Sequence, residues 1–204
     1  MRESTKNKRR QQILDAALLV SEREGLEGLT IRRLCDELGL SPPVVYRYVK
    51  DKEDIIDGLV RRVIEAQPAV PPPGQSTRDW LFDLLVHMRA QWLAHPGLMV
   101  MMTSSEPLKA SALESAESVL SALCKTGLTD REAAGAFHVL MSYLLGSVVL
   151  ARGSATAAIT TDLPNLPLLA RLGRDLDARR HAVFKSGLDA LLRALLPSEG
   201  ASRG

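Results

Sequence analysis

Aromatic residues are scarce: phenylalanine, tryptophan and tyrosine together make up 4% of the 204 residues. A core must therefore be built from Leu, Val, Ile, Met and Ala, and because β-branched runs are also few, composition points to an all-α protein. Cysteine is nearly absent. Cys35 and Cys124 stand alone, with no CxxC pair and no His/Cys cluster at zinc spacing. That excludes a disulfide framework and a zinc finger and fits a reducing, cytoplasmic setting. Neither sign of charge dominates. The formal net charge is +2, shared evenly between residues 1–66 and 67–204, so an argument for nucleic-acid binding must rest on where charges sit. No apolar leader opens the chain, and no membrane partner is expected. The most apolar run, Val139–Ala151, is too short for a bilayer span and ends at Arg152, so it reads as a buried helix. P-loop, Rossmann, G-x-S-x-G and H-E-x-x-H patterns are missing, and His87, His95, His138 and His181 lack catalytic partner spacing. Neither enzymatic activity nor a cofactor nor a metal is expected.

What is present is helical periodicity. Within Lys8–Glu24, Ile13, Ala16, Ala17 and Val20 fall on one face, and Gly25 ends the segment. Thr30 caps a short helix, Ile31–Leu38, whose apolar residues are Ile31, Leu34, Cys35 and Leu38. Gly39 breaks it and Leu40 follows as an apolar plug. After Ser41, the Pro42-Pro43 pair leads a helix expected from Pro43 to about Val49, because a residue before proline avoids the α region. A fourth helix covers about Lys52–Ala66, with Ile56, Leu59, Val60 and Val63 on one side.

The stretch 67–77, QPAVPPPGQST, reads as a Pro-rich linker or stiff loop. Beyond it, Ser76 or Thr77 caps a helix to about Ala94, with Leu81, Leu84, Leu85, Met88 and Trp92 inward. Pro107–Lys125 forms the next helix. Thr129–Glu132 is a capping box that starts a long helix to about Ala151, apolar all round and thus expected to be central or at a subunit interface. A loop over 153–167, a short turn near Leu168–Leu172 and a last helix over about Asp175–Leu196 complete the order. The expected organisation is a domain over 1–66, the linker 67–77, a helical domain over 78–197 and a disordered tail over 198–204.

Residues 30–49 have the anatomy of a helix-turn-helix. Val45 and Val49, one turn apart, should face the core, leaving Val44, Arg47 and Tyr48 outward. The rival reading is a helical hairpin inside a bundle. For Arg47 alone, an ordinary solvated arginine competes. Cys35 reads as a small core hydrophobe, not a redox sensor.

The stretch GLTIRRLCDELGLSPPVVYRYVKDK over residues 28–52 resembles the DNA-binding signature of the tetracycline-repressor (TetR) family. Leu29-Thr30, Arg32, Leu34, Leu38-Gly39, Tyr46 and Lys52 are its strongest elements. The resemblance covers about residues 8–66 well. It continues more loosely through Arg89, His95-Pro96-Gly97, Gly127–Asp130, Tyr143–Gly146 and Gly187–Asp189. Cys35 departs from a usual alanine and Val49 from a usual phenylalanine. The resemblance implies a three-helix helix-turn-helix DNA-binding domain followed by a helical bundle for ligand binding and dimerisation. Thr30, Tyr46, Tyr48 and Lys52 match phosphate-gripping positions, and Arg32 matches one that touches base or phosphate. Pro42, Pro43, Val44 and Arg47 match positions facing base edges, with Ser41 a further expected DNA-binding residue; proline and valine suit thymine methyls and Arg47 suits guanine. The basic stretch Lys6–Arg10 is expected either as an arm reaching DNA or as a solubilising tail.

Family bodies of this kind hold an effector between helices. Met88, Trp92, Met99, Met102, Phe137, His138, Met141 and Ser142 are the candidate pocket, with ordinary core packing as the rival for each. Tetracycline-binding members hold magnesium through a histidine and a carboxylate. The stretches 98–103 and 148–151 offer no such ligands, so no metal is expected. The resemblance thus implies a homodimer that represses transcription from a palindromic operator and is released by a small lipophilic effector. The alternative from another class is an all-helical ligand carrier or enzyme without DNA binding.

Overall fold

Ile13, Ala16, Ala17 and Val20 are all buried, as their spacing requires, but the helix that carries them is longer than the sequence suggests. The computed structural model describes residues 2–65, 68–95, 97, 99, 110–152 and 167–197. Helix α1 runs Arg2–Gly28 and is interrupted at Gly25, whose φ of 75° only glycine adopts without strain. The stretch Lys6–Arg10 is therefore the first turns of a helix and not a free arm. Four further helices follow: α2 (Ile31–Leu38), α3 (Pro42–Val45), α4 (Lys52–Ile64) and α5 (Thr77–Ala94). Then come α6 (Ala110–Lys125), α7 (Asp130–Arg152) and α8 (Pro167–Leu195). Among the described residues there is no strand.

Cα proximity groups the chain into two units. The first comprises Met1–Ala69 and Ala94–Glu117; the second comprises Val70–Leu93 and Ser118–Gly204. In the first, α1 packs on α2 and α4 around Ile13, Leu29, Leu34, Ile55, Ile56 and Leu59. Gly58 allows α1 and α4 to approach closely: a Cβ there would stand 3.0 Å from Leu14 Cδ2. Three polar contacts bind the returning segment to this unit. Asp57 accepts from Ser111 N and Oγ at 3.1 and 2.8 Å, Arg61 reaches Glu114 at 3.6 Å, and Glu22 meets His95 Nδ1 at 2.7 Å.

The second unit opens on the turn Pro72–Gln75, closed by Gln75 N donating to Pro72 O at 3.1 Å, with Gly74 at φ 83° in the position a type II turn reserves for it. Ser76 Oγ then accepts from Asp79 N and caps α5. The residues Leu81, Leu84, Leu85, Met88 and Trp92 are buried along α5 as their spacing predicts. The capping box forms as expected: Thr129 N donates to Glu132 Oε2 at 2.8 Å, and Glu132 N to Thr129 Oγ1 at 3.3 Å.

The apolar run Val139–Ala151 belongs to α7, 23 residues long. By length and composition alone the whole helix, whose bounds match the expected ones to within a residue or two, suffices to cross a membrane. One face, Ala133, Ala136, Leu140, Leu144 and Val148, lies in the protein's own core. Val139, Val149 and Leu150 on other faces are exposed. Helix α8 is continuous from Pro167, replacing the expected turn and separate helix. Between the expected turn and the expected helix stands Gly173, and one helical glycine costs about 1 kcal/mol, too little to end a helix that packs elsewhere. Its buried residues are Phe184, Leu188 and Leu192, at i, i+4, i+8; Val183, expected to pack, is exposed.

Candidate nucleic-acid interface and effector cavity

Thr30 sits in the extended region, and its Oγ1 accepts from Arg33 N at 3.1 Å, which starts α2. The end of α2 is set by Gly39 at φ 62°, and Leu40 N donates back to Cys35 O at 3.0 Å. Ser41 is extended, and α3 begins at Pro42, one residue earlier than expected. Two prolines in the first turn forfeit no hydrogen bond, because those N–H groups have no intrahelical acceptor. The α-helical geometry ends at Val45, short of the expected Val49. Beyond it the chain turns tightly, with Tyr48 N donating to Val45 O at 2.9 Å and Val49 N to the same oxygen at 3.2 Å.

Val45 and Val49 are fully buried, 0% and 2% exposed, and fix this segment's orientation. Pro42, Pro43, Tyr46 and Arg47 are exposed, Val44 and Tyr48 half-buried, and Ser41 exposed. The structure thus brings Ser41, Pro42, Pro43, Val44, Tyr46 and Arg47 together on one short edge. Thr30 and Arg32 are exposed on the preceding helix.

Neighbouring cations divide into bound and unbound. Arg33 lies 2.8 Å from Glu24 and 3.0 Å from Glu37, and Arg23 is 2.6 Å from Glu37. Arg23, then Arg33, hold the Glu37 carboxyl below its ordinary range. Arg32 and Arg47 make no ion pair among the described residues. The Lys52 ammonium donates to Leu26 O at 2.6 Å, a carbonyl just past the Gly25 break that also accepts from Leu29 N at 3.3 Å.

A clamp behind the edge was not foreseen from sequence. Arg10 donates to Tyr48 O at 2.7 Å and pairs with Asp54 at 2.8 Å. Asp54 also accepts from Lys50 N at 2.9 Å, while Asp51 caps α4 by accepting from Asp54 N. Arg10 holds the Asp54 carboxyl below its ordinary range, with Lys50 N helping against burial. The available signal was the register of Arg10, three residues before the buried Ile13.

In the second unit, a cavity of about 450 Å³ is lined by Arg89, Ser142, Tyr143, Ser147, Arg180 and Phe184, with apolar walls from α7 and α8. Of the candidate pocket residues, only Ser142 lines it. Met88 and Trp92 are buried on α5, Met99, Phe137 and Met141 are half-buried, and His138 is exposed. Met102 lies outside the described residues. Arg89 is 4% exposed; its Nε donates to Ser147 Oγ at 3.1 Å, and its guanidinium carbon sits 4.7 Å over the Phe184 ring. Burial pushes the guanidinium pKa down, and nearby Arg180 pushes the same way. The Tyr143 ring stacks on Phe184 at 5.3 Å, and its hydroxyl donates to Phe184 O at 3.2 Å. That hydroxyl occupies the space a Cβ on Gly187 would need.

An exposed proline-led edge, seated by two buried valines behind a capped helix and a left-handed glycine, is the anatomy of the helix-turn-helix class. Residues 13–59 match the bacterial regulatory proteins of the tetR family, and residues 70–196 match the tetracyclin repressor-like C-terminal domain. The chain belongs to the TetR family. It is similar to the HTH-type transcriptional repressor DrrR1 of Streptomyces coeruleorubidus, 33% identical over 138 residues, which is 66% of this chain and 50% of that protein. The chain thus matches half the length of that relative. It is also 28% identical over 194 residues to the tetracycline repressor protein class D of Escherichia coli, covering 90% of this chain and 87% of that one. A possible TetR family transcriptional regulator from Streptomyces coelicolor A3(2) shares the fold at a TM-score of 0.71. It is 22% identical, over 91% of this chain and 98% of that one.

Proposed function

We propose that this chain is a homodimeric, cytoplasmic repressor that binds a near-palindromic operator and leaves it when a small effector fills the C-terminal body. Residues 1–66 serve as the DNA-binding domain and 78–197 as the effector and dimerisation domain. The observation that carries the reading is that Pro42, Pro43, Tyr46 and Arg47 are exposed while Val45 and Val49 beneath them are buried. Pro42, Pro43 and Val44 meet base edges through apolar contact, and Arg47 supplies the hydrogen-bonding reader. Thr30, Tyr46, Tyr48 and Lys52 grip phosphate, with Arg32 and Ser41 beside them. Binding, not catalysis, is the activity.

Dimerisation is supported by the exposed apolar residues Val139 and Val149 on α7, which water would otherwise solvate. A twofold pair places two reading edges about 34 Å apart, one turn of duplex. Selection of bound fragments from random duplex DNA by the purified protein tests the reading. The expected product is one inverted repeat, bound at least about a thousandfold more tightly than random sequence. Equal retention of all fragments, or none, sinks it, and an all-helical carrier or enzyme then becomes the better account.

A further inference from the structure

We propose that the cavity between α5, α7 and α8 takes an organic anion, a flat apolar body bearing a carboxylate, with Arg89 as its counter-ion. The inference rests on reading residues 70–196 as the effector-binding body and names the chemical class that body accepts.

A guanidinium taken out of water is costly unless an anion pairs with it. Arg89 is buried, yet its polar partner is a neutral serine hydroxyl and its face is covered by an aromatic ring. No carboxylate pairs with it among the described residues. Arg180, which donates to Ala151 O at 2.6 Å, lines the same cavity. Ser142 adds a hydroxyl beside the charge, while Leu150, Val183 and Phe184 supply apolar wall. The volume of about 450 Å³ suits a two- or three-ring molecule. The planar guanidinium fork matches a carboxylate better than a lone hydroxyl or ketone.

The test uses full-length protein and paired probes at neutral pH: 2-naphthoate against 2-naphthamide, and anthraquinone-2-carboxylate against its primary amide, titrated by calorimetry. At least one acid should bind roughly tenfold or more tightly than its amide, the fold-change a charge-assisted hydrogen bond supplies. Arg89→Gln should erase that preference. Arg89→Met, which removes the unpaired charge, should melt no lower than the unmodified protein; a merely structural arginine would make it melt lower.

The proposal is overturned if no acid outbinds its amide in the unmodified protein, a comparison that needs no variant to fold. It is also overturned if the preference survives in Arg89→Gln. Dissociation of the dimer by Arg89→Gln with the preference intact would assign Arg89 to a side chain of the second copy and equally remove the proposal. Operator binding is measured separately by fluorescence anisotropy. Intact operator binding with no acid preference sinks only this inference, whereas an acid preference in a protein that binds no duplex sinks only the regulatory reading.

Discussion

Arg32 and Arg33 are adjacent in the chain and opposite in use. Arg33 is enclosed by Glu24 and Glu37, while Arg32 faces solvent with its charge uncommitted among the described residues. The same division separates Arg10, tied to Asp54 and the Tyr48 carbonyl, from Arg47 on the exposed edge. Arg47→Ala is therefore expected to lose about 1–3 kcal/mol of discrimination at one base pair, with little change in melting temperature, measured against a set of single-base operator variants. Arg10→Ala should instead lower affinity for every duplex alike, because it releases the turn that carries the readers. Asp54 gives the clamp a pH signature. Its folded pKa lies below the unfolded value, so the stability it lends is complete above about pH 4 and disappears as pH falls through the folded value. Thermal melts of Asp54→Asn should accordingly show a flatter dependence below about pH 4 than the unmodified protein; an unchanged profile would remove Asp54 from this role.

Among elements, the helices whose boundaries carried chemical punctuation were legible in the sequence. Thr30, Gly39, Ser76 and the Thr129–Glu132 box all act where their side chains or backbone freedom predict. The register of α5 was equally clear, because apolar spacing alone decides which face is buried. The ends without punctuation were not. The start of α1 extends through a polar, basic stretch that has no apolar period. The single helix α8 passes Gly173, where a local penalty is outweighed by packing at Phe184, Leu188 and Leu192. The cavity was hidden for another reason. Methionine and tryptophan marked apolar faces, but those faces close on themselves, and the open space is lined by Arg89, Arg180 and small residues of α7. Arg89 had left a trace, a lone charge four residues after Leu85 on an otherwise apolar stripe. One contact between elements is directly testable. Gly187→Ala places a methyl where the Tyr143 hydroxyl sits, so it should destabilise by about 1–3 kcal/mol in denaturant melts. Tyr143→Phe in the same chain should recover part of the loss.

At the scale of the molecule, the proposed function makes affinity for an inverted repeat depend on two copies acting together. Val139 and Val149 are exposed on α7 and do not line the cavity. Val139→Glu or Val149→Glu should shift the protein to monomer in analytical ultracentrifugation and cut affinity for the full inverted repeat, with the half-site affinity unchanged. A dimer that survives both substitutions would place the seam elsewhere. Ser142, Leu150 and Val183 belong at once to the cavity lining and to the exposed surfaces of the helices assigned to pairing. In the proposed dimer, an occupant of that space with different affinity for the paired and unpaired chains alters the free energy of self-association, and self-association alters its affinity by the same factor. Potency of an inducer is then not a fixed property of the polypeptide: it drifts with the amount of protein in the cell, so that copy number itself tunes the dose at which genes are switched on.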